Sequence, residues 1–566
     1  MTFRGLALSS IFTTCCLLTF SQEKFWVFLR DKHGCTFDAY TYFEPKAIER
    51  RLREGLSLQD STDFPLNENY VAQIELLCDS VSGTSRWFNA VACVAHSGQL
   101  QKIKTLPFVR DVQCMLYSPD FASLNMEEQY ELSDEEMNVL KGQTEVMQYD
   151  LLRNKGYNGS GVVVAVFDAG FDQFLNDEAF RGMIADDRIV ATYDFVKEKK
   201  FVFHGHSHGT HVVSCIGGVV DSMYVGCATG AKFLLARTEQ AIWESRIEEE
   251  HWVMSAEWAD KWGADIINSS LGYTNQFYFS RDMDGVKSMI SRAATMAAHK
   301  GILVCNSAGN EAVKRWQVIG APADADSILT IGGVEPITCL HASFSSYGPT
   351  ADMRMKPNLC AFGHAMARQN NEYHVSTGTS FSSPLVAGFA ACIKQMHPEW
   401  TLKQLYDEMQ HSGHLYPYFD YAHGYGIPQA SYFVRSDEDT VHTDTVEVEI
   451  EYKRELDMFQ LRIASADTAS IARMLSMEYL FEEEPDEFVA GTDPVDIWQQ
   501  LDYEGMKNYL YWHVENAEGV LTHYEIVWPE PSRVIAVRDT YPAGSVLRVH
   551  WLGKTYEWKL EEQRKP

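Results

Sequence analysis

With 566 residues, 45% of them hydrophobic and 12% aromatic, the chain exceeds one ordinary domain and can build large cores, so three or four domains are expected and general disorder is excluded. A formal net charge of -30 argues against nucleic acid or an anionic membrane as partner, because both require a Lys/Arg footprint. The same acidity suits a protein kept soluble outside the cytoplasm.

Residues 1–21 read as a signal peptide. Arg4 supplies a weak positive end, and Leu6 to Phe20 is apolar but too short and too rich in hydroxyls to span a bilayer. Thr19-Phe20-Ser21 offers small residues for cleavage, while Thr13-Thr14 before Cys15 lacks the lipoprotein pattern. No later stretch is apolar for long enough to form a membrane span, so a secreted, periplasmic or cell-surface protein is expected. Twelve cysteines, two of them in the signal, are too few for a dense disulfide framework at this length. Those from Cys215 to Cys392 lie mostly in apolar runs and read as buried free thiols; pairing is not legible.

Residues 22–120 interleave strands and helices in a small α+β unit. Strands are predicted over 25–29, 88–94 and 109–116, and helices over 45–52, 67–78 and 100–106, the first opened by Pro45. Residues 121–146, rich in Glu and Asp without aliphatic periodicity, read as an exposed acidic linker. From 147 to 435 short apolar strands alternate with helices, implying a mainly parallel α/β sheet with chemistry at the carboxyl ends of its strands. Strands are expected over 162–167, 233–236, 266–268 and 302–305, and helices over 208–218, 248–263 and 286–299. Residues 436–566 alternate polar and apolar at period two over 443–452, 509–514, 524–528 and 546–551, a β-rich C-terminal domain, sandwich or small barrel. Trp498, Trp512, Trp528 and Trp551 are expected in its core rather than on a sugar-binding surface.

Three strings in the middle segment carry the chemistry. Asp168 ends the apolar run Val162 to Phe167 and precedes Ala169-Gly170; His208 opens His208-Gly209-Thr210-His211; Ser380 stands within Gly378-Thr379-Ser380-Phe381-Ser382-Ser383-Pro384. A serine hydroxyl needs a neutral imidazole to accept its proton, and that imidazole needs a buried carboxylate to hold its tautomer. The order acid, histidine, serine differs from that of chymotrypsin and the α/β-hydrolases, and no Gly-x-Ser-x-Gly elbow surrounds Ser380. His204, His206, His208 and His211 raise zinc as an alternative, but His208 is claimed by the serine chemistry. No neighbouring acid or cysteine completes a metalloprotease signature, so no metal is assigned.

On these strings the segment from 147 to 435 resembles the subtilisin-like serine peptidases. Asp168-Ala169-Gly170 stands for the family's Asp-Thr/Ser-Gly, His208 to His211 matches His-Gly-Thr-His, and Gly378 to Pro384 follows Gly-Thr-Ser-Met-Ala-x-Pro with Phe381 and Ser382 substituted. The resemblance implies a three-layer α/β fold, Asp168, His208 and Ser380 as catalytic residues, and Asn310 with the Ser380 N–H as the oxyanion donors. It also implies that Ser270, Leu271 and Gly272 line the cleft for an extended polypeptide substrate. The N-terminal unit would be a pro-domain, an intramolecular chaperone and inhibitor. No cofactor is implied; calcium occurs in many relatives, but no ligand set is assigned here. Two departures stand out: Ala169 lacks the usual hydroxyl beside the acid, and Phe381 is bulkier than methionine. The expected function is a secreted serine endopeptidase. The rivals are a peptide macrocyclase or transpeptidase on the same scaffold, in which another amine intercepts the acyl-enzyme, and a catalytically silent binding protein.

Overall fold

The computed structural model describes residues 23–115, 120–121, 134–240, 243–244, 246–274, 277–434, 446–453, 458–465, 509–527, 541–551 and 553–560. The signal-like residues 1–21, most of the linker before 134, Trp498 and Trp528 lie outside them. The chain forms two compact units, one of residues up to Thr36 with Phe64–Tyr117, the other of Phe37–Asp63 with the chain from Ser118 onward. Residues 37–63, sequence neighbours of the first unit on both sides, thus cluster with the second.

The first unit is an antiparallel sheet in the order Ser80–Ser85, Ala90–Ala95, Glu23–Leu29, Val109–Met115. One sheet face and the helices Glu68–Glu75 and Ser97–Lys104 enclose Phe25, Val27, Leu29, Ile74, Val91, Cys93 and Ile103. Phe25 to Leu29 are all buried: Phe25, Val27 and Leu29 enter this core, while Trp26 and Phe28, at the alternate positions of the strand, are buried outside that cluster.

Seven parallel strands form the centre of the second unit, in the order Leu359–Phe362, Leu329–Val334, Leu303–Ser307, Ile266–Ser269, Val163–Asp168, Lys232–Arg237, Ile189–Asp194. Val163–Asp168 is buried along its whole length, as a β-branched run covered on both faces must be. The helices His208–Gly217 and Thr379–Met396 share one core with it, while Arg246–Lys261 and Met289–His299 connect further strands. This is the expected subtilisin-like α/β fold. Three strands had no readable pattern. Ile189–Asp194 is only half-buried, Leu329–Val334 is interrupted by Gly332-Gly333, and Leu359–Phe362 has four residues.

Residues 134–145, expected as exposed linker, form a helix with Leu140 and Gln143 buried. Gln143 donates to the carbonyls of Val225 (2.6 Å) and Met366 (3.1 Å) and accepts from the Met366 N–H (2.8 Å), bonds that no aliphatic pattern announces. The β-rich C-terminal region contains a hairpin, Val446–Lys453 with Met458–Ser465. It also contains an antiparallel sheet in the order Leu521–Val527, Leu510–Glu515, Ser545–Trp551, Lys554–Leu560. Trp512 and Trp551 are buried in that sheet's core with Val514, Leu547 and Val549. The described cysteines are free thiols. No described helix is long and apolar enough to cross a membrane.

Candidate active site

The loops after the central strands carry the candidate residues. Asp168 is the last residue of its strand and fully buried, with one carboxylate oxygen accepting the Ala169 N–H at 2.8 Å. His208 begins its helix, and its Nδ1 lies 2.9 and 3.0 Å from the two oxygens of Asp168. A neutral imidazole in this pairing donates from Nδ1, which leaves Nε2 as the basic nitrogen. The missing hydroxyl at Ala169 leaves the carboxylate's backbone bond intact.

Glycines bring acid and base together. A Cβ on Gly170 would lie 2.3 Å from the His204 carbonyl oxygen, and one on Gly209 would lie 2.4 Å from that of Gly170. The Gly209 N–H donates to the Gly170 carbonyl at 3.1 Å. The turn after Asp168 and the helix start at His208 are therefore in backbone contact. Arg237, for which the sequence offers no signal, braces the same turn: Nε donates to the Ala169 carbonyl at 2.8 Å and Nη1 pairs with Asp194 at 3.2 Å.

The remaining histidines of the cluster diverge. His204 turns to Asp194 at 3.1 Å, and His206 accepts the His208 N–H on Nδ1 at 3.1 Å. His211 is fully buried between Ser376 (3.1 Å) and Gln369 (2.9 Å). Among the described residues no group of His, Cys, Asp or Glu is arranged to hold a metal ion.

Ser380 is the second residue of the Thr379–Met396 helix, and Pro384 lies inside that helix. Proline has no N–H, so the Ser380 carbonyl four residues earlier loses its helical donor. Ser270 replaces it, its Oγ donating to the Ser380 carbonyl at 2.8 Å, while the Ser380 Oγ donates back to the Ser270 carbonyl at 3.3 Å. Asn268 donates from Nδ2 to the Ser270 Oγ at 3.2 Å and accepts from the Ser383 Oγ at 2.9 Å, completing a support that motif reading misses. Phe381 lays its ring 5.4 Å from that of His208, so the two helix starts adjoin and the bulk noted in the sequence packs against the imidazole.

Asn310 follows Gly309 beyond the Leu303–Ser307 strand. Its Oδ1 accepts from the Thr379 N–H (2.9 Å) and Oγ1 (3.0 Å), and its Nδ2 lies 3.0 Å from where a Cβ on Gly378 would stand. In the Ser270–Gly272 edge, Ser270 and Leu271 are buried, whereas Gly272 is exposed with open space where a side chain would project. A second edge is unmarked in sequence: Trp243–Glu244 pairs antiparallel with Asp120–Phe121.

A parallel α/β sheet bearing a hydrogen-bonded carboxylate–imidazole pair, with a serine at an adjoining helix start, defines a serine-hydrolase class of site. The subtilase family model matches residues 159–426, and a model of the peptidase S8 propeptide domain of Bacteroidota matches residues 24–131. The chain is 30% identical over 263 residues to a subtilisin of Bacillus pumilus, covering 46% of this chain and 86% of that one. It is 31% identical to subtilisin NAT of Bacillus subtilis subsp. natto over the same length, spanning 62% of that protein. A solved protease of Pseudoalteromonas arctica superposes over 53% of this chain and 98% of its own, with 20% identity and a TM-score of 0.41. The chain belongs to the subtilase family and carries an N-terminal propeptide domain.

Proposed function

We propose that the protein is a secreted serine endopeptidase that hydrolyses peptide bonds in extended polypeptides through an acyl-enzyme. The observation that carries this reading is the buried Asp168 carboxylate bonded to His208 Nδ1, beside a serine held at a helix start. The Ser380 hydroxyl turns from the Ser270 carbonyl to His208 Nε2, surrenders its proton and attacks the scissile carbonyl carbon. The oxyanion receives the Ser380 N–H and Asn310 Nδ2, aided by the helix N-terminus. The imidazolium, steadied by Asp168, gives the proton to the leaving amine. Water deprotonated by the same nitrogen then attacks the ester, and Ser380 regains its proton as the acyl group leaves as a carboxylic acid.

Two backbone edges, Gly272 and Trp243–Glu244, suit an extended peptide that adds as a strand. Asp120–Phe121 already pairs with the latter, which supports the N-terminal domain as an inhibitor that occupies the substrate's place before processing. The signal-like first 21 residues and the acidic surface support export. In the test, Ser380→Ala abolishes casein hydrolysis and fluorophosphonate labelling; activity retained in that variant refutes the proposal.

A further inference from the structure

Within residues 37–63 lies a set of buried charges that the proposed chemistry does not use. Arg50 and Arg51, on the helix Pro45–Arg53, are 0% and 1% exposed. Arg50 donates to the carbonyls of Asp260 (3.2 Å), Ala264 and Lys300 (3.0 Å), which lie at the C-terminal ends of the helices Arg246–Lys261 and Met289–His299. The last carbonyls of a helix lack helical donors and lie at the negative end of its dipole; Lys300 directly follows one helix, the Asp260 carbonyl in the other also accepts the Gly263 N–H at 3.1 Å, and Ala264 lies just beyond it. Both guanidinium groups also bind the Asp260 carboxylate, Arg51 in two-pronged fashion at 2.9 and 2.6 Å. Arg51 reaches on to Asp63 at 3.2 Å, and Lys300 closes the cluster onto Asp63 at 3.0 Å and Asp60 at 3.1 Å.

The fit extends beyond the charges. Lys46 pairs with Asp265 at 2.8 Å, whose Oδ2 also accepts the Val163 N–H. Glu54 accepts the Leu402 N–H on both carboxylate oxygens at 3.0 Å, capping the helix Leu402–His411. A Cβ on Gly263 would lie 2.8 Å from the Ala47 nitrogen, and one on Gly301 would lie 2.4 Å from the Glu54 Cγ. The ends of both helices are therefore shaped around this segment. Ion pairs alone are weak evidence of lasting association, because desolvation offsets their attraction. Here they combine with satisfied helix-end carbonyls, close backbone packing and the burial of Phe43, Ala47 and Ile48.

Position decides what the segment can do. Its contacts through Lys46, with the Asp265 carboxylate and the Gly161 carbonyl, lie at the amino ends of the Ile266–Ser269 and Val163–Asp168 strands. Asp168 is at the other end of a strand of six residues, ~17 Å away at the usual rise. None of the contacts named above involves Asp168, His208 or Ser380.

We propose that residues 37–63 are a permanent structural part of the catalytic domain and stay bound to it after the chain is cut between residues 121 and 133. Such a cut releases only the strand Asp120–Phe121. A propeptide that occupies the cleft and a clamp that maintains the fold are then separate parts of one N-terminal region.

The test does not depend on catalysis. A site for a sequence-specific protease is placed at residues 124–130 of the full chain carrying Ser380→Ala. After cutting, the two fragments co-elute in gel filtration at equal stoichiometry and physiological salt. Arg50→Met with Arg51→Met leaves Asp260 buried and unpaired, so the N-terminal fragment is released at least about 100-fold faster. If that variant fails to accumulate, Asp260→Asn serves in its place with the same expected release. Fragments of the otherwise unaltered chain that part on cutting overturn the proposal, as do variant fragments that remain together as firmly.

Discussion

Pro384 stands four residues after Ser380, and its missing N–H is the reason for Ser270. Loss of that hydroxyl leaves the Ser380 carbonyl without a donor at a half-buried helix start, a cost of about 1 kcal/mol. Ser270→Ala should lower the thermal midpoint and slow fluorophosphonate labelling of Ser380, while Ser270→Ala combined with Pro384→Ala should recover part of the midpoint. Asp168→Asn keeps the shape but presents an amide to His208 Nδ1 and favours the wrong tautomer, so kcat should fall about 10⁴-fold. On the proposed mechanism Asn310→Ala removes one oxyanion donor and should cost roughly 100- to 1000-fold in kcat, the range established for the corresponding donor in subtilisin itself. Active-site titration checks that the remaining rate belongs to folded enzyme.

Acid and base approach through backbone rather than side chains. The strand ending at Asp168 and the helix beginning at His208 touch at Gly170 and Gly209, where an added Cβ would come within 2.4 Å of a carbonyl oxygen. Gly209→Ala must push the helix start away from the turn, since the obstructing atom is backbone. We expect a loss of more than about 2 kcal/mol in stability and a larger loss in kcat than in KM, measured by thermal unfolding and steady-state kinetics. The motif glycines thus serve the approach of two elements, with Arg237 bracing the same turn.

Across the whole molecule, the C-terminal sheet meets the 413–428 stretch through buried imidazoles. His513 Nδ1 lies 2.5 Å from the Phe419 carbonyl oxygen and its ring stacks 4.8 Å from Tyr418. Burial holds His414 at a pKa of about 3 and His341, His513 and His550 at about 4. Asp420, Tyr418, Tyr511, His423 and Arg548 share this region. These folded pKa values lie below the ordinary 6.5, so between about pH 6.5 and 4 the unfolded chain binds more protons than the folded one. Stability is therefore complete above 6.5 and falls as pH drops toward 4, by about 1.4 kcal/mol per pH unit for each histidine. Asp420, whose pKa is lowered chiefly by His423 against the effect of burial, contributes stability above its ordinary 3.8 that is lost only below it. The thermal midpoint measured from pH 7.5 to 4.5 should fall steeply, and His414→Asn should flatten the curve.

Local sequence determined what depends on neighbours along the chain. The β-branched run before Asp168, the His-Gly-Thr-His string and the serine on its Gly/Thr turn were legible because strand burial and helix starts are written in consecutive residues. Tertiary structure alone decided what depends on distant carbonyls. Arg237 reaches Ala169, Gln143 reaches Val225 and Met366, and Arg50 reaches the ends of two helices 210 and 250 residues away. Such polar residues carry no periodicity, because a single side chain can satisfy a buried backbone group from any position in the sequence. The place of residues 37–63 was hidden for the same reason: a run of charges reads as a solvated surface until the fold supplies the opposite charges and closes water out.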